Sequence, residues 1–351
     1  MLWLLMTTGK CNLRCKYCGG SFDSKTVPYE ESYDLDKLKE LIEDDRDPTI
    51  IFYGGEPLVN YRYIMDVMDR IEFARFGIQT NGVLYKLLPE KYWRRLNVVL
   101  LSIDGREHIT DAMRGKGVYK RVIEAATYVK NMGIETIARM TVTEKTDIYE
   151  DVTHLLEKGL FDKIHWQLNV VWTERWNFIE WARSSYLPGI RKLMDYFMIN
   201  LERGEVLKII PFLGVISSHY FPTLRGVACG AGYSSITVST DGRIISCPIA
   251  VNEHWSEIGN INDGFRLVYD DYPEECKDCQ YLRYCGGRCL YANKERYWGE
   301  DGWREIDQVT KEYLGIVLSE IDRINELVRS NIIKLEDLKY DPTKDSTEVI
   351  P

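Results

Sequence analysis

Runs of continuous apolar residues alternate with stretches whose apolar positions recur every three or four residues, through the first half of the chain. The opening run Met1-Leu2-Trp3-Leu4-Leu5-Met6 reads as a buried strand. Further strands are expected at 49–53, 76–80, 96–103, 134–142 and 163–170, with amphipathic helices at 33–44, 61–73, 118–131 and 149–158. Continuous apolar strands alternating with such helices indicate a parallel sheet covered by helices. About six strand–helix units predict an α/β fold, a partial (β/α)6 TIM-like barrel rather than a closed eight-fold one.

Beyond this the pattern changes. Residues 172–203 read as an aromatic-rich helix without a clear strand, and 225–310 is rich in Cys, Gly and turns, with few long periodic runs. A small domain of that composition needs metal staples to hold together. A last helix is expected at 311–330, with Leu314, Val317, Leu318, Ile321, Ile324 and Val328 on one face. The tail 334–351, with Pro342, Lys344, Asp345 and Pro351, reads as solvated and loosely ordered. The expected division is therefore a barrel at 1–205, a Cys-rich domain at 225–310, a helix and a tail.

Charge and cysteine usage narrow the function classes. A net charge of −9 over 351 residues argues against broad binding to nucleic-acid phosphates, which needs a basic face. No apolar run approaches the roughly 20 residues that span a bilayer. The opening run is too short for a signal peptide and lacks a basic lead-in, so a cytoplasmic location is expected. Nine cysteines in a leaderless chain point to thiolate chemistry rather than disulfides. Three lie within the first 18 residues, none between 19 and 228, and six between 229 and 289, so they form two groups.

The first group is Cys11-x3-Cys15-x2-Cys18. Positions i, i+4 and i+7 would share a helix face, and a three-Cys zinc site is another reading. Gly9 before the set and Gly19-Gly20 after it favour a loop wrapped around something. Three thiolates suit a cubane iron–sulfur cluster with one iron left open to a small chelator. With Tyr17 before the last cysteine, this loop resembles that of the radical S-adenosylmethionine (radical SAM) superfamily. The resemblance implies that S-adenosylmethionine chelates the open iron of a 4Fe-4S cluster and is reductively cleaved to a 5′-deoxyadenosyl radical. Cys11, Cys15 and Cys18 would then be the catalytic ligands.

Other segments extend the likeness. Tyr53-Gly54-Gly55-Glu56-Pro57 is similar to the family's GGEP motif. It implies glycines that let backbone approach the methionine end of the cofactor and a Glu56 carboxylate that accepts from its amine. Ser102 and Asp104, in Leu101-Ser102-Ile103-Asp104-Gly105, look like ribose-hydroxyl ligands, although an ordinary Asp-Gly turn would read the same. Thr80-Asn81-Gly82 is expected to shape the pocket. Arg139 suits the cofactor carboxylate, because a guanidinium pairs bidentately, or else a structural ion pair.

The second group is Cys276-x2-Cys279-x5-Cys285-x3-Cys289, preceded by Cys229 and by Gly242-x4-Cys247. Paired cysteines also fit a zinc ribbon. The whole arrangement resembles the SPASM extension of radical SAM peptide maturases, which houses two auxiliary iron–sulfur clusters. The resemblance assigns Cys229, Cys247 and Cys289 to the first, and Cys276, Cys279 and Cys285 to the second. Two departures stand out: Ser235 stands about where a further cysteine would follow Cys229, and no cysteine follows Cys289. The first cluster would then keep an open iron. Asp307 would take the place of the last cysteine of the second, or simply cap a following helix. His165 reads as a barrel residue; Trp166, Trp172, Trp176 and Trp181 read as core or channel wall. No acid–base pair stands out.

The expected activity is radical modification of a peptide or protein side chain, with cross-linking, epimerisation, dehydrogenation and thioether formation all open. Low-potential electrons are expected from a ferredoxin or flavodoxin. With the barrel beginning at residue 1, any leader peptide would be read by a separate binding protein or not at all. A small-molecule or cofactor-precursor substrate and a non-catalytic zinc-binding adaptor are the rival readings.

Overall fold

The computed structural model describes residues 1–222, 226–269 and 271–344. Six parallel strands lie side by side in chain order: β1 (Leu2–Met6), β2 (Thr49–Tyr53), β3 (Arg75–Thr80), β4 (Leu96–Ser102), β5 (Glu135–Val142) and β6 (Lys163–Leu168). The helices between them are α1 (Leu35–Glu43), α2 (Tyr61–Arg70), α3 (Glu90–Trp93), α4 (Glu107–Arg114), α5 (Val118–Lys130) and α6 (Ile148–Glu157). This is the expected partial (β/α)6 barrel. Side chains alternate across each strand. On β1, Trp3 and Leu5 join the layer under the helices, while Leu2 and Leu4 join Ile51, Val98, Leu100 and Ile137 in a separate inner cluster. Asp34 and Asp147 cap α1 and α6, accepting from Asp36 N and Glu150 N, so those helix starts satisfy their own amides.

The sheet does not end at β1. On its free side β1 pairs in parallel with β7 (Ser235–Val238), with Leu2 opposite Ser235 and Leu5 opposite Val238. Antiparallel strands β8 (Arg243–Ile245), β9 (Glu257–Asn260) and β10 (Gly264–Phe265) follow, making ten strands in one sheet. The barrel and the Cys-rich region therefore share one hydrogen-bonded lattice.

Several boundaries differ from the sequence reading. The aromatic segment turns helical only at α7 (Phe178–Trp181), passes through a π-helical turn at Ala182–Tyr186 and continues as α8 (Leu187–Glu202). Trp172 lies outside it in the left-handed region, φ 56°. A helix not foreseen, α9 (Ile210–Tyr220), is buried on nearly every side and so carries no polar stripe to give it a period. After the short α10 (Leu282–Cys285) and α11 (Leu290–Glu295), the expected last helix is two helices, α12 (Gly299–Leu318) and α13 (Ile321–Arg329). The apolar face starts earlier than expected, with Trp303, Ile306 and Val309 buried, and the chain breaks at Ser319-Glu320. The tail, expected to be solvated, is docked as far as it is described. Leu338 is buried, Tyr340 N donates to Ser217 Oγ at 3.0 Å, and Lys344 pairs with Asp47 at 2.6 Å. Asp345 and Pro351, and Arg225 at the expected start of the Cys-rich domain, lie outside the described residues.

Candidate active site

The C-terminal ends of the six barrel strands converge on one cavity of about 330 Å³. That is within the usual range for small-ligand sites and at the usual end of an α/β sheet. The loop after β1 carries Cys11, Cys15 and Cys18 to its wall. No helix runs through 11–18, which removes the buried-stripe reading. Instead Cys18 N and Gly19 N both donate to Cys15 O, at 3.2 and 2.9 Å, closing a tight turn. Gly20 follows at φ 106°, where a Cβ would meet Leu13 O at 2.8 Å. Leu13 N donates to Cys11 Sγ at 3.5 Å. Burial holds the Cys11 thiol up. A hydrogen bond from Cys15 pulls Cys18 down to about 6 and holds Cys15 up, so Cys18 reaches the thiolate first.

The loop is fastened to α4. Lys16 N donates to Met113 O at 3.0 Å, and Tyr17 OH donates to Asp104 Oδ2 at 2.9 Å. Arg114 grips Asp104 through Nε (2.9 Å) and Nη2 (2.8 Å) and lies over the Tyr17 ring at 5.4 Å. Thr141 N also donates to Asp104 Oδ1, at 2.9 Å. Asp104 is fully buried and is not part of the cavity wall, unlike Ser102, Tyr17 and Arg114. The expected ribose ligand is thus committed to holding the cysteine loop, and Arg114 is a cavity residue that the sequence reading missed. Only the helix at 107–114, itself unforeseen, brings it there.

The Gly54-Gly55 pair makes a contact that the sequence did not suggest. Gly55 N donates to Thr8 O at 3.0 Å and Glu56 N to Lys10 O at 2.8 Å, so β2's loop lies directly on the backbone leading into the cysteines. A Cβ on Gly54 would come within 2.4 Å of Thr8 O, and one on Gly55 within 2.3 Å of Lys10 O. Both glycines also border the cavity. Pro57 does not; it begins a 3-10 turn at Pro57–Asn60 that Glu56 caps. The buried Glu56 carboxylate accepts from Leu58 N (3.1 Å), Thr80 Oγ1 (2.6 Å) and Asn81 N (2.8 Å). Burial outweighs those bonds and pushes its pKa up to about 7.

Ser102, Arg139 and His165 are register neighbours on β4, β5 and β6. Arg139 reaches His165 Nδ1 at 3.3 Å and lines the cavity, while His165 is buried. Gln79 Oε1 is buried in the same wall with no donor. Of the four tryptophans, only Trp172 borders the cavity. It stands edge-on to Phe22 and Tyr291 and donates to Tyr291 OH at 3.1 Å. Trp166 is core, and Trp176 and Trp181 pack with Phe178.

The second cysteine group is divided between two cavities. Cys229, Cys247 and Cys289 line the large cavity, together with Ser235. Cys276, Cys279 and Cys285 line a smaller cavity with Asp307 and Lys311. Asp307 lies inside α12, whose N-cap is Trp298, so it caps nothing; Lys311 Nζ holds its carboxylate at 2.6 Å. Burial pushes Cys276 and Cys285 up to about 11. Three thiols at the edge of a ligand-sized cavity, with an amide aimed at sulfur, fit a cluster that leaves one iron to a small chelator. Three thiols beside a carboxylate fit a fully ligated one.

This fold and this site define a radical SAM domain, and residues 5–158 match the model of the Radical SAM superfamily. The chain therefore carries a radical SAM domain over that stretch, followed by a second, Cys-rich region. It is 24% identical to the subtilosin biosynthesis protein AlbA of Bacillus subtilis, over 86% of this chain and 70% of that one. It is 23% identical to the cysteine-type anaerobic sulfatase-maturating enzyme of Clostridium perfringens, over 86% of this chain and 91% of that one. Its fold is like that of native anSMEcpe with bound AdoMet: TM-score 0.75 at 20% identity, covering 94% of this chain and all of that one. With the Cp18Cys peptide also bound, the TM-score is 0.72, at 20% identity over 94% and 99%. Among the described residues no helix is long and apolar enough to cross a membrane.

Proposed function

We propose that this radical SAM enzyme is a maturase that modifies a side chain of a peptide or protein substrate after hydrogen abstraction. The observation that carries the reading is the single cavity whose wall runs from Cys11, Cys15 and Cys18 to Cys229, Cys247 and Cys289. A substrate seated between the two cysteine sets would meet the initiating site on one side and an auxiliary site on the other. When bound, a 4Fe-4S cluster with S-adenosylmethionine supplies reductive sulfonium cleavage and hydrogen abstraction.

The chain's own residues bind and orient. Cys11, Cys15 and Cys18 hold the initiating cluster. Glu56 accepts from the cofactor's amine, Arg139 pairs with its carboxylate, and Ser102 meets the ribose. Gly54 and Gly55 keep β2's loop tight on the cysteine loop, and Arg114 with Asp104 and Tyr17 fixes that loop from the other side. Cys229, Cys247 and Cys289 hold the first auxiliary cluster; Cys276, Cys279, Cys285 and Asp307 hold the second. Phe22 and Trp172 wall off water from the space between. The named activities of the two relatives and the peptide bound to the solved neighbour support a peptide substrate. A ferredoxin or flavodoxin would supply the electrons.

The test is anaerobic reconstitution with S-adenosylmethionine, a strong reductant and candidate peptides, following 5′-deoxyadenosine and peptide mass together. The expected result is nucleoside formation coupled to a mass change and abolished by Cys15→Ala. Coupling to small metabolites alone would overturn the peptide assignment. Bound zinc without acid-labile sulfide would overturn the radical reading altogether.

A further inference from the structure

Arg288 stands between two cysteines that belong to different cavities, in Cys285-Gly286-Gly287-Arg288-Cys289. Among the described residues it alone borders both the large cavity and the smaller one. The turn that puts it there is tightly determined. Gly286, Gly287 and Arg288 are successive positive-φ residues at 58°, 84° and 70°, and Arg288 N donates to Cys285 O at 2.9 Å. A Cβ on Gly286 would fall 1.8 Å from Gly226 O, and one on Gly287 2.8 Å from the Tyr272 side chain. A left-handed arginine is uncommon, and the surrounding fold has to impose it.

The side chain is as unusual as the backbone. Arg288 Nε is buried without an acceptor. A buried guanidinium N–H with no partner is costly unless negative charge lies nearby. The groups whose charge reaches it are Cys289 of one set, Cys285 of the other, Tyr186 and Asp307. Asp307 is itself already paired with Lys311. Thiolate-ligated clusters at the two sites would supply the missing negative charge from both sides.

We infer that Arg288 is a positioning residue whose single positive charge is shared by both auxiliary cluster sites and raises the reduction potential of each. The inference rests on the reading that both sites hold iron–sulfur clusters. A cluster becomes more negative when reduced, so a fixed cation beside it favours the reduced form. One guanidinium bordering both sites couples their potentials without any ligand in common.

The test uses the full-length chain with Cys11, Cys15 and Cys18 all replaced by Ala, so that only the auxiliary sites titrate. Iron and sulfide are counted after reconstitution, and the midpoints are followed by electron paramagnetic resonance. In that background Arg288→Gln is expected to lower both midpoints, each by at least a tenfold change in the reduction equilibrium (~59 mV for a one-electron couple). Arg288→Lys, which keeps the charge, should stay near the parent. Loss of both clusters in Arg288→Gln with retention in Arg288→Lys would also support the shared charge. Full iron with unmoved potentials, an effect at one site only, or equal iron loss in both variants would overturn it. A parent chain that holds no auxiliary iron and sulfide would overturn the underlying cluster reading instead, and the metal count shows that before any potential is measured.

Discussion

At Glu56 two physical effects oppose each other: three hydrogen bonds favour the carboxylate, and burial favours the neutral acid. With its pKa pushed up to about 7, the side chain is mostly protonated at pH 6 and half ionised at pH 7. Only the ionised form is a full acceptor for the cofactor's amine hydrogens. Affinity for S-adenosylmethionine should therefore rise with pH, about fivefold from pH 6 to pH 7, and Glu56→Gln should flatten that rise. Calorimetric titration of the reconstituted chain at the two pH values reads it directly. Asp307 offers a second test at this scale. Asp307→Ala is expected to lower iron and sulfide by as much as one cluster per chain; an unchanged metal count would strike Asp307 from the ligand set. The cysteines that line the two cavities stood out in the sequence because their spacing is informative by itself. The role of Asp104 was not, because its partner Arg114 reaches it through a helix whose pattern gave no warning.

Among the elements, α4 matters more than its length suggests. Its last residue, Arg114, is buried with Asp104, at 7% and 0% side-chain exposure, and the pair anchors Tyr17 within the cysteine loop. Removing one partner leaves a buried charge uncompensated. Arg114→Ala should destabilise the cluster-free chain by about 3–5 kcal/mol in urea unfolding. It should also weaken cluster retention; a loss below about 1 kcal/mol would mean that the pair is relaxed in solution. Two of the helices that sequence periodicity missed have separate physical reasons. A short α4 gives too few turns to show a period, and α9 is apolar around most of its circumference. Barrel strand positions were much clearer, since β2 came out at its predicted bounds and β1 and the strands from β3 to β6 shifted by only one or two residues at an end, while β7 to β10 were not foreseen. Strands covered on both faces keep enough apolar residues to mark their extent, even where Arg139 and His165 interrupt β5 and β6.

Across the whole molecule, pairing of β1 with β7 was invisible to local pattern, because it joins residues more than 230 positions apart. Its consequence is testable. A fragment ending at residue 205 would expose the β1 edge that β7 covers, and a bare apolar edge invites aggregation. That fragment is expected to be insoluble when expressed alone, while the full chain should melt in one calorimetric transition. A soluble, cooperatively folded fragment would show that the lattice can be cut there.

β1 also carries the cysteine loop at its tip, so the strand next to β7 is the one that aims the initiating site. Ladder hydrogen bonds between β1 and β7 tie that site to the strand from which the chain runs on toward Cys247. A spacing held by that ladder would select guests by their fit at entry rather than by closure of the protein around them.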